Sequence, residues 1–516
     1  MISPSTPRAS TRICLLTGGG YPYRRDALGG WCRTVVEGLG QVGFDLLTIT
    51  DREPPATPAY PLPRNVASVR AVTLGRGDPD RFERRREEPD DAATRAAVLL
   101  CRGLLGEQPN SDDVVAEGLR RLAQPRAPRS GRTAPPDPLA GVALTDVLLD
   151  AWRTGRSVAA ADRLPLPRLS VRDARTAATL LRHATRALTV PLPESDLVHC
   201  VGGTTPLLAA LAGHWRGGAP LLLTEARAPV ARLRPAEERL SPAVRTVLHR
   251  FRRAVARTGY AEAGLIAPLS AYHHGWALRH GARPGRLVSV PAGVDPLDYS
   301  TAPEPEVADP AVVWAGSGGP DSGLGLLLEA FGRVVASVPG TVLHLVGVTV
   351  AHEEHCAEQI ERAGLGRAVR LHPLPADPRD RYAAGHVVVH VPGPADPPYR
   401  LIEAMMSGRA VVGVDVGPAA ETLGEAGVLV AAGDPASLAA ACVGLLRSPA
   451  HRRALGEAAR RRALAYFTAD RVVRVYGALY TDLAAPPPAQ AYELALSVPA
   501  PRTELPTTVR WLQDHR

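Results

Sequence analysis

A chain of 516 residues with 45% apolar content is too long for one hydrophobic core, and domains of about 100 to 200 residues imply two or three of them. Sixty basic residues, all of them arginine, face 52 acidic ones, for a net charge of +8 and a pI near 9.4; the arginines are interspersed with acids, as in Arg81–Glu88, and no stacking-aromatic or groove-reading motif accompanies them, which argues against nucleic-acid binding. No uncharged apolar run approaches the roughly 20 residues that span a bilayer, and Cys14, Cys32, Cys101, Cys200, Cys356 and Cys442 form no C-x-x-C pair, so free thiols in a reducing cytoplasm are expected.

The apolar run Ile13–Leu16 after Arg8 and Arg12 is too short for a secretion signal and reads as a first strand, Ile13–Thr17. A glycine-rich turn, a helical pattern over Trp31–Val42 and a strand over Asp45–Thr50 complete the opening unit of a doubly wound α/β domain. From about residue 78 to 193 the pattern becomes helical, with segments at Ala92–Leu105 and Val171–Leu188 around a Pro/Arg-rich loop, Gln124–Pro138. That stretch reads as a helical insertion into a first domain running to about residue 300. The α/β pattern resumes with strands Asp196–Val201 and Leu221–Thr224 around helix Pro206–His214, continues through Val255–Gly281, and ends in a strand over Val288–Pro291.

After a Pro/Glu linker, Ala302–Pro310, a second doubly wound domain spans about 301–467. Its strands are expected at Val312–Ala315, Val342–Val346, Val369–Leu371, Val387–His390, Ala410–Val414 and Val428–Val430. Helices alternate with them at Leu324–Ser337, Ala351–Ala363, Arg400–Ser407, Pro435–Arg447 and Pro449–Ala465. This alternation predicts parallel sheets that bind a ligand at the carboxyl ends of their strands. An amphipathic helix, Asp470–Leu483, precedes a Pro-rich tail in the last segment, 468–516.

Several short matches in fixed order carry a resemblance. They are Leu16–Tyr23, Gly29-Gly30-Trp31, Asp196–His199, Leu223-Thr224-Glu225, Pro291–Asp295, Glu403-Ala404-Met405 with Gly408, and Gly433-Asp434-Pro435. Together they resemble the family 4 retaining glycosyltransferases, and within these the Pel exopolysaccharide type. The resemblance covers about Arg12–Leu483. It implies the GT-B architecture of two Rossmann-like domains facing a cleft, and a nucleoside diphosphate sugar, UDP-linked, as donor substrate with no metal and no other cofactor.

Residue by residue, the resemblance gives Glu403 to the donor ribose, where a carboxylate accepts from adjacent hydroxyls. Gly316, Ser317 and Ser322 fall in its diphosphate loop and Gly29-Gly30 in its phosphate-approach turn, while Arg400 and Arg409 are further sources of positive charge. Departures cluster on the sugar and diphosphate side. Ala395 stands where the family carries its first glutamate, with Asp396 one residue out of register. Ser317 and Ser322 replace an arginine and a lysine, Ala226-Arg227 replace a histidine and a glycine, and Pro397 removes a backbone donor. Loss of one preorganised donor costs a typical active site about 10²- to 10³-fold in rate. Arg24 and Arg25 are candidates for supplying the missing cation from the opposite wall.

Two readings follow. One is sugar transfer to a polysaccharide or related acceptor, beside polysaccharide synthesis or export proteins, in the cytoplasm with any membrane link peripheral at the inner face. The other is a catalytically degraded GT-B protein that binds nucleotide or glycan as a partner or regulator. His352-Glu353-Glu354-His355 is one residue short of the H-E-x-x-H spacing that puts two imidazoles on one zinc, and His273-His274 diverge on a helix.

Overall fold

The structure, a computed structural model, describes residues 11–51, 53–75, 91–106, 110–125, 135–158, 166–226, 239–299, 301, 304–305, 309–320, 322–393 and 397–485. The charge run Arg81–Glu88, Arg227, Ala395, Asp396, much of the Gln124–Pro138 loop and the tail from 486 lie outside the described residues.

The first sheet contains β1 (Arg12–Thr17), β2 (Gly43–Thr50), β3 (Val66–Thr73), β4 (Leu197–Val201), β5 (Leu221–Glu225) and β6 (Leu265–Pro268) in the order β3-β2-β1-β4-β5-β6. The second contains β7 (Ala311–Ala315), β8 (Val342–Val346), β9 (Val369–His372), β10 (Val387–His390), β11 (Ala410–Val414) and β12 (Val428–Val430), ordered β12-β11-β10-β7-β8-β9. Every pairing is parallel. Renumbered within its own half, the second sheet repeats the first, and both have the doubly wound Rossmann arrangement. Central strands such as β4, β5 and β11 are buried throughout, as parallel strands covered on both faces must be. The expected α/β class and two-sheet architecture are what the chain adopts.

Helices α1 (Ala27–Gly38), α2 (Asp91–Leu105), α3 (Ser111–Leu122), α4 (Leu144–Val158), α5 (Val171–Thr185), α6 (Thr204–Gly217), α7 (Pro242–Glu262) and α8 (Ala271–Arg279) belong to the first half. The second half adds α9 (Leu324–Ser337), α10 (Val350–Arg362), α11 (Tyr399–Met406), α12 (Ala419–Leu423), α13 (Pro435–Arg447), α14 (Pro449–Tyr466) and α15 (Ala469–Ala484). The helical insertion is not a separate body. Its Leu100, Leu119, Leu148 and Leu181 share one buried cluster with Cys14, Leu16, Leu47 and Leu223 of the sheet.

Three expectations are corrected. Helix α1 begins at Ala27 and not near Trp31, because Asp26 caps it by accepting from the Gly29 N–H at 2.7 Å. Val288–Pro291 forms no full strand: Val288 and Val290 donate to Ile266 and Pro268 beside β6, and Pro291, with no N–H, cannot extend the ladder. The edge strand β3 lies in a stretch where no element was expected, whereas α3 and α4 fill out the expected helical insertion.

Helix α15 returns from the second half to the first. A Cβ at Gly38 would lie 2.4 Å from Val473, so α1 and α15 touch backbone to side chain. Tyr476 and Tyr480 enter the first sheet's core, where the Tyr480 hydroxyl is hydrogen-bonded to His199 Nδ1 at 2.7 Å and the Tyr476 hydroxyl to Thr224 Oγ1 at 2.7 Å. His199 Nε2 pairs with the same Thr224 hydroxyl at 2.8 Å. Burial pushes the His199 imidazole down to about 3, so the network is built around a neutral ring.

Candidate functional site

In each sheet the strand order reverses between two central strands, β1 and β4 in the first and β7 and β10 in the second. Loops leaving the carboxyl ends of such strands flank a crevice. In the second half these are the glycine loop 316–323 after β7 and the segment 391–398 after β10, which leads into α11.

Glu403 lies in α11 within the apolar run Leu401-Ile402-Glu403-Ala404-Met405-Met406, and it is buried. A carboxylate there requires a cation. Arg381, from the turn after β9, donates through Nη1 to Glu403 Oε2 at 2.6 Å and to the Tyr299 hydroxyl at 2.9 Å. The Tyr382 hydroxyl and Arg400 Nη1 reach the same Oε2 at 3.1 and 3.2 Å. Burial alone would raise the Glu403 carboxyl, but the Arg381 and Arg400 guanidiniums, with the hydrogen bonds from Arg381 and Tyr382, hold it below its ordinary value. All three donors converge on Oε2. None of the hydrogen bonds among the described residues goes to Oε1, which keeps two lone pairs for an incoming donor.

Among the described residues no side chain caps α11, whose cap position is held by Pro398, and uncapped first-turn N–H groups are the kind that bind anions. The same holds for α9, whose cap residue is Gly323 at φ +71° with no side-chain cap. Next to it the Ser322 Oγ is buried without a hydrogen-bond partner, while Ser322 N donates to Gly319 O at 2.9 Å. Ser317 acts through its backbone: its carbonyl accepts from Thr349 N at 3.2 Å and lies 3.1 Å from His352 Nδ1.

The glycines of this loop have packing reasons. A Cβ at Gly316 would fall 2.3 Å from the Trp314 ring, and one at Gly318 would fall 2.5 Å from Cys356 Sγ. A Cβ at Gly319 would lie 3.2 Å from the His352 ring. The near-miss metal motif is therefore the floor of the glycine loop. Among the described residues no three His, Cys, Asp or Glu side chains gather as a metal site.

Gly29 and Gly30 sit in the first turn of α1, with N–H groups taken by the Asp26 side chain and the Asp26 carbonyl. A Cβ at Gly29 would meet Arg24 O at 2.8 Å, whereas Gly30 faces open space. Arg24 pairs with Asp26 at 3.3 Å, and Arg25 donates to Ala59 O at 3.2 Å beside the Tyr60 ring. Arg409 donates to the Tyr382 and Ala383 carbonyls at 3.2 and 3.3 Å. Ala226 is fully buried after β5, and the preceding Glu225 accepts from the Tyr260 hydroxyl at 2.6 Å. His273 is buried against Ser270, and His274 turns to Ser289.

The structure thus brings Glu403, Arg400 and the unforeseen Arg381, Tyr382 and Tyr299 together. Nothing in Pro378–Tyr382 separates buried Arg381 from Arg379, which is exposed and pairs with Asp377. A lone acid inside an apolar helical run was the available signal that some cation had to come to it.

Comparison with known proteins adds two family matches. The model described as "Domain of unknown function (DUF3492)" matches residues 11–285, and the model described as "Glycosyl transferases group 1" matches residues 309–448. No curated protein matches the chain. Among solved structures, the chain is similar to sucrose-phosphate synthase from Thermosynechococcus elongatus, with 17% identity, a TM-score of 0.59, and coverage of 92% of this chain and 99% of that one. Anabaena HepE in complex with UDP has 15% identity, a TM-score of 0.54, and coverage of 92% and 100%. An α,α-trehalose-phosphate synthase (UDP-forming) from Burkholderia vietnamiensis has 15% identity, a TM-score of 0.54, and coverage of 92% and 98%. At such identities the likeness is one of fold, and the fold is GT-B.

Proposed function

Because the chain belongs to the DUF3492 family over residues 11–285 and carries a glycosyl transferases group 1 domain over 309–448, we propose that it moves a sugar from a nucleoside diphosphate donor to a glycan acceptor. The observation that carries this reading is Glu403, ionised, buried and fixed through Oε2 by Arg381, Arg400 and Tyr382, with Oε1 left for the ribose hydroxyls. The donor is UDP-linked in this reading, supported by HepE, solved in complex with UDP. Transfer is retaining and needs no metal, and the acceptor is an exopolysaccharide or related polymer, as the family 4 resemblance implies.

In this reading Glu403 binds and orients the ribose, and the uncapped termini of α9 and α11 receive the diphosphate. The resemblance gives proton removal from the incoming hydroxyl to the leaving phosphate, so no side-chain nucleophile is required. Arg24→Ala with Arg25→Ala tests the opposite wall: unchanged nucleotide-sugar affinity in both variants removes it from the site.

Loss of the clamp cations, with Ser317 and Ser322 in their places, favours a second reading, a GT-B protein that binds nucleotide without transfer. Calorimetry with UDP, alongside turnover of labelled UDP-sugars, separates the two. Transfer abolished by Glu403→Ala supports the first. Nucleotide binding lost in Glu403→Ala, without turnover by the parent protein across several donors, supports the second. Binding and turnover indifferent to Glu403→Ala would overturn both.

A further inference from the structure

Residues 239–286 hold nine arginines and one acid, Glu262, for a net charge of +8. That equals the excess of the whole 516-residue chain, so the rest of the protein is balanced and this segment carries the imbalance. It comprises α7, β6, α8 and the turn after them.

Part of this charge is structural. Arg250 donates to the Leu104 and Leu105 carbonyls, Arg286 to those of Ala261 and Ala263, and Arg257 pairs with Asp112 at 2.8 Å. Arg245, Arg253, Arg279 and Arg283 have no acid partner among the described residues, and the last three are exposed.

The two helices present one surface. A Cβ at Gly281, just beyond α8, would lie 3.7 Å from Arg257 Nε on α7. His249 on α7 is lowered first by burial and then by Arg253, Arg252, Arg250 and His280. His280 is lowered by burial, with Arg253, Arg279 and Arg257 acting in the same direction. Between the cations Leu278 is 39% exposed beside Arg279, and Trp276 stacks on His280 with centroids 4.1 Å apart.

We propose that this face of α7 and α8 docks on an anionic lipid bilayer, with Arg245, Arg253, Arg279 and Arg283 against the headgroups and Leu278 at the acyl boundary. A basic helical face with an exposed apolar side chain is what an interfacial helix presents. A nucleic acid strand would call for open stacking aromatics, and the one tryptophan here is stacked on His280. The inference is independent of whether the protein transfers sugar.

The test is cosedimentation of the full chain with phosphatidylglycerol-containing vesicles and with pure phosphatidylcholine vesicles. Binding is expected only to the first, and it should weaken as salt rises from about 0.05 to 0.5 M and the Debye length shrinks. Each neutralised arginine should weaken partitioning roughly fivefold, so the fourfold variant R245Q/R253Q/R279Q/R283Q should lose about 100-fold or more. The variant R102Q/R333Q/R362Q/R461Q makes the same change in net charge elsewhere and should bind as the parent does.

Equal losses in the two fourfold variants would reduce the effect to net charge and overturn the proposal. So would failure of the parent to bind anionic vesicles at low salt, or binding to heparin or duplex DNA without binding to vesicles at equal ionic strength. Should the patch variant melt early, the single variants Arg279→Gln and Leu278→Ser carry the same comparison, and unchanged binding in both overturns the proposal.

Discussion

Glu403 and Arg381 form a buried ion pair, with side chains 8% and 9% exposed. Breaking such a pair from one side leaves an uncompensated charge, which typically costs about 3–5 kcal/mol, whereas replacing both partners by apolar groups is often neutral. Arg381→Met should therefore lower the urea midpoint sharply, and Arg381→Met with Glu403→Leu should recover most of the loss, while the proposed ribose contact of Glu403 predicts that the double variant loses nucleotide affinity. The pH dependence has a definite sign. The folded Glu403 carboxyl is held below its unfolded value, so it contributes stability above that value that is lost as pH falls through the folded one. His199 acts higher up: its folded value of about 3 lies below the unfolded 6.5, so the unfolded chain takes up the proton first. Stability should fall from about pH 6.5 toward 3, and urea melts of His199→Gln should show a shallower fall over that window.

Within the insertion, small residues set the spacing between helices. A Cβ at Gly118 of α3 would come within 2.8 Å of the Leu100 backbone nitrogen in α2, and one at Gly103 of α2 within 2.7 Å of Val115. Gly118→Val should separate the helices and cost about 1–3 kcal/mol, visible as a lowered melting temperature with the glycine-loop site unchanged. The legibility of elements follows from burial. Strands β7, β8, β10, β11 and β12 were readable because they are short apolar runs between helices. Strand β3 was not, since Val66–Thr73 lies at a sheet edge with half-exposed side chains and its polar residues interrupt the run. The start of α1 was missed because apolar periodicity begins at Trp31, whereas the cap that starts the helix, Asp26, is defined by a side-chain hydrogen bond. Glu403 was legible as a motif residue, but its partner Arg381, 22 residues earlier in the chain, was not. Only the folded path after β9 brings that arginine beneath α11.

Contacts between the two halves are specific as well as apolar. Glu421 of α12 accepts from the Ala271 and Tyr272 N–H groups at 2.7 and 3.0 Å, capping α8 of the first half. Arg462 fixes the Glu421 and Thr422 carbonyls from α14. Removing a helix cap costs about 1 kcal/mol. Glu421→Ala should therefore loosen α8, read as faster amide exchange over Ala271–Arg279, and leave the Glu403 cluster protected. A single apolar cluster joins Trp31, Val35 and Phe44 of the first half to Tyr399, Met405 and Ala459 of the second and to Tyr476 and Tyr480 of α15.

The route of α15 bears on the order in which a ribosome can complete the fold. His199 and Thr224 are made before the polypeptide is half finished, yet the hydroxyls that satisfy them belong to residues 480 and 476. Until those residues leave the exit tunnel, Trp31, His199 and Thr224 border an apolar furrow without its lid. A nascent chain arrested after residue 285, where the family match ends, would hold every strand of the first sheet and still present a sticky seam that a chaperone has time to recognise.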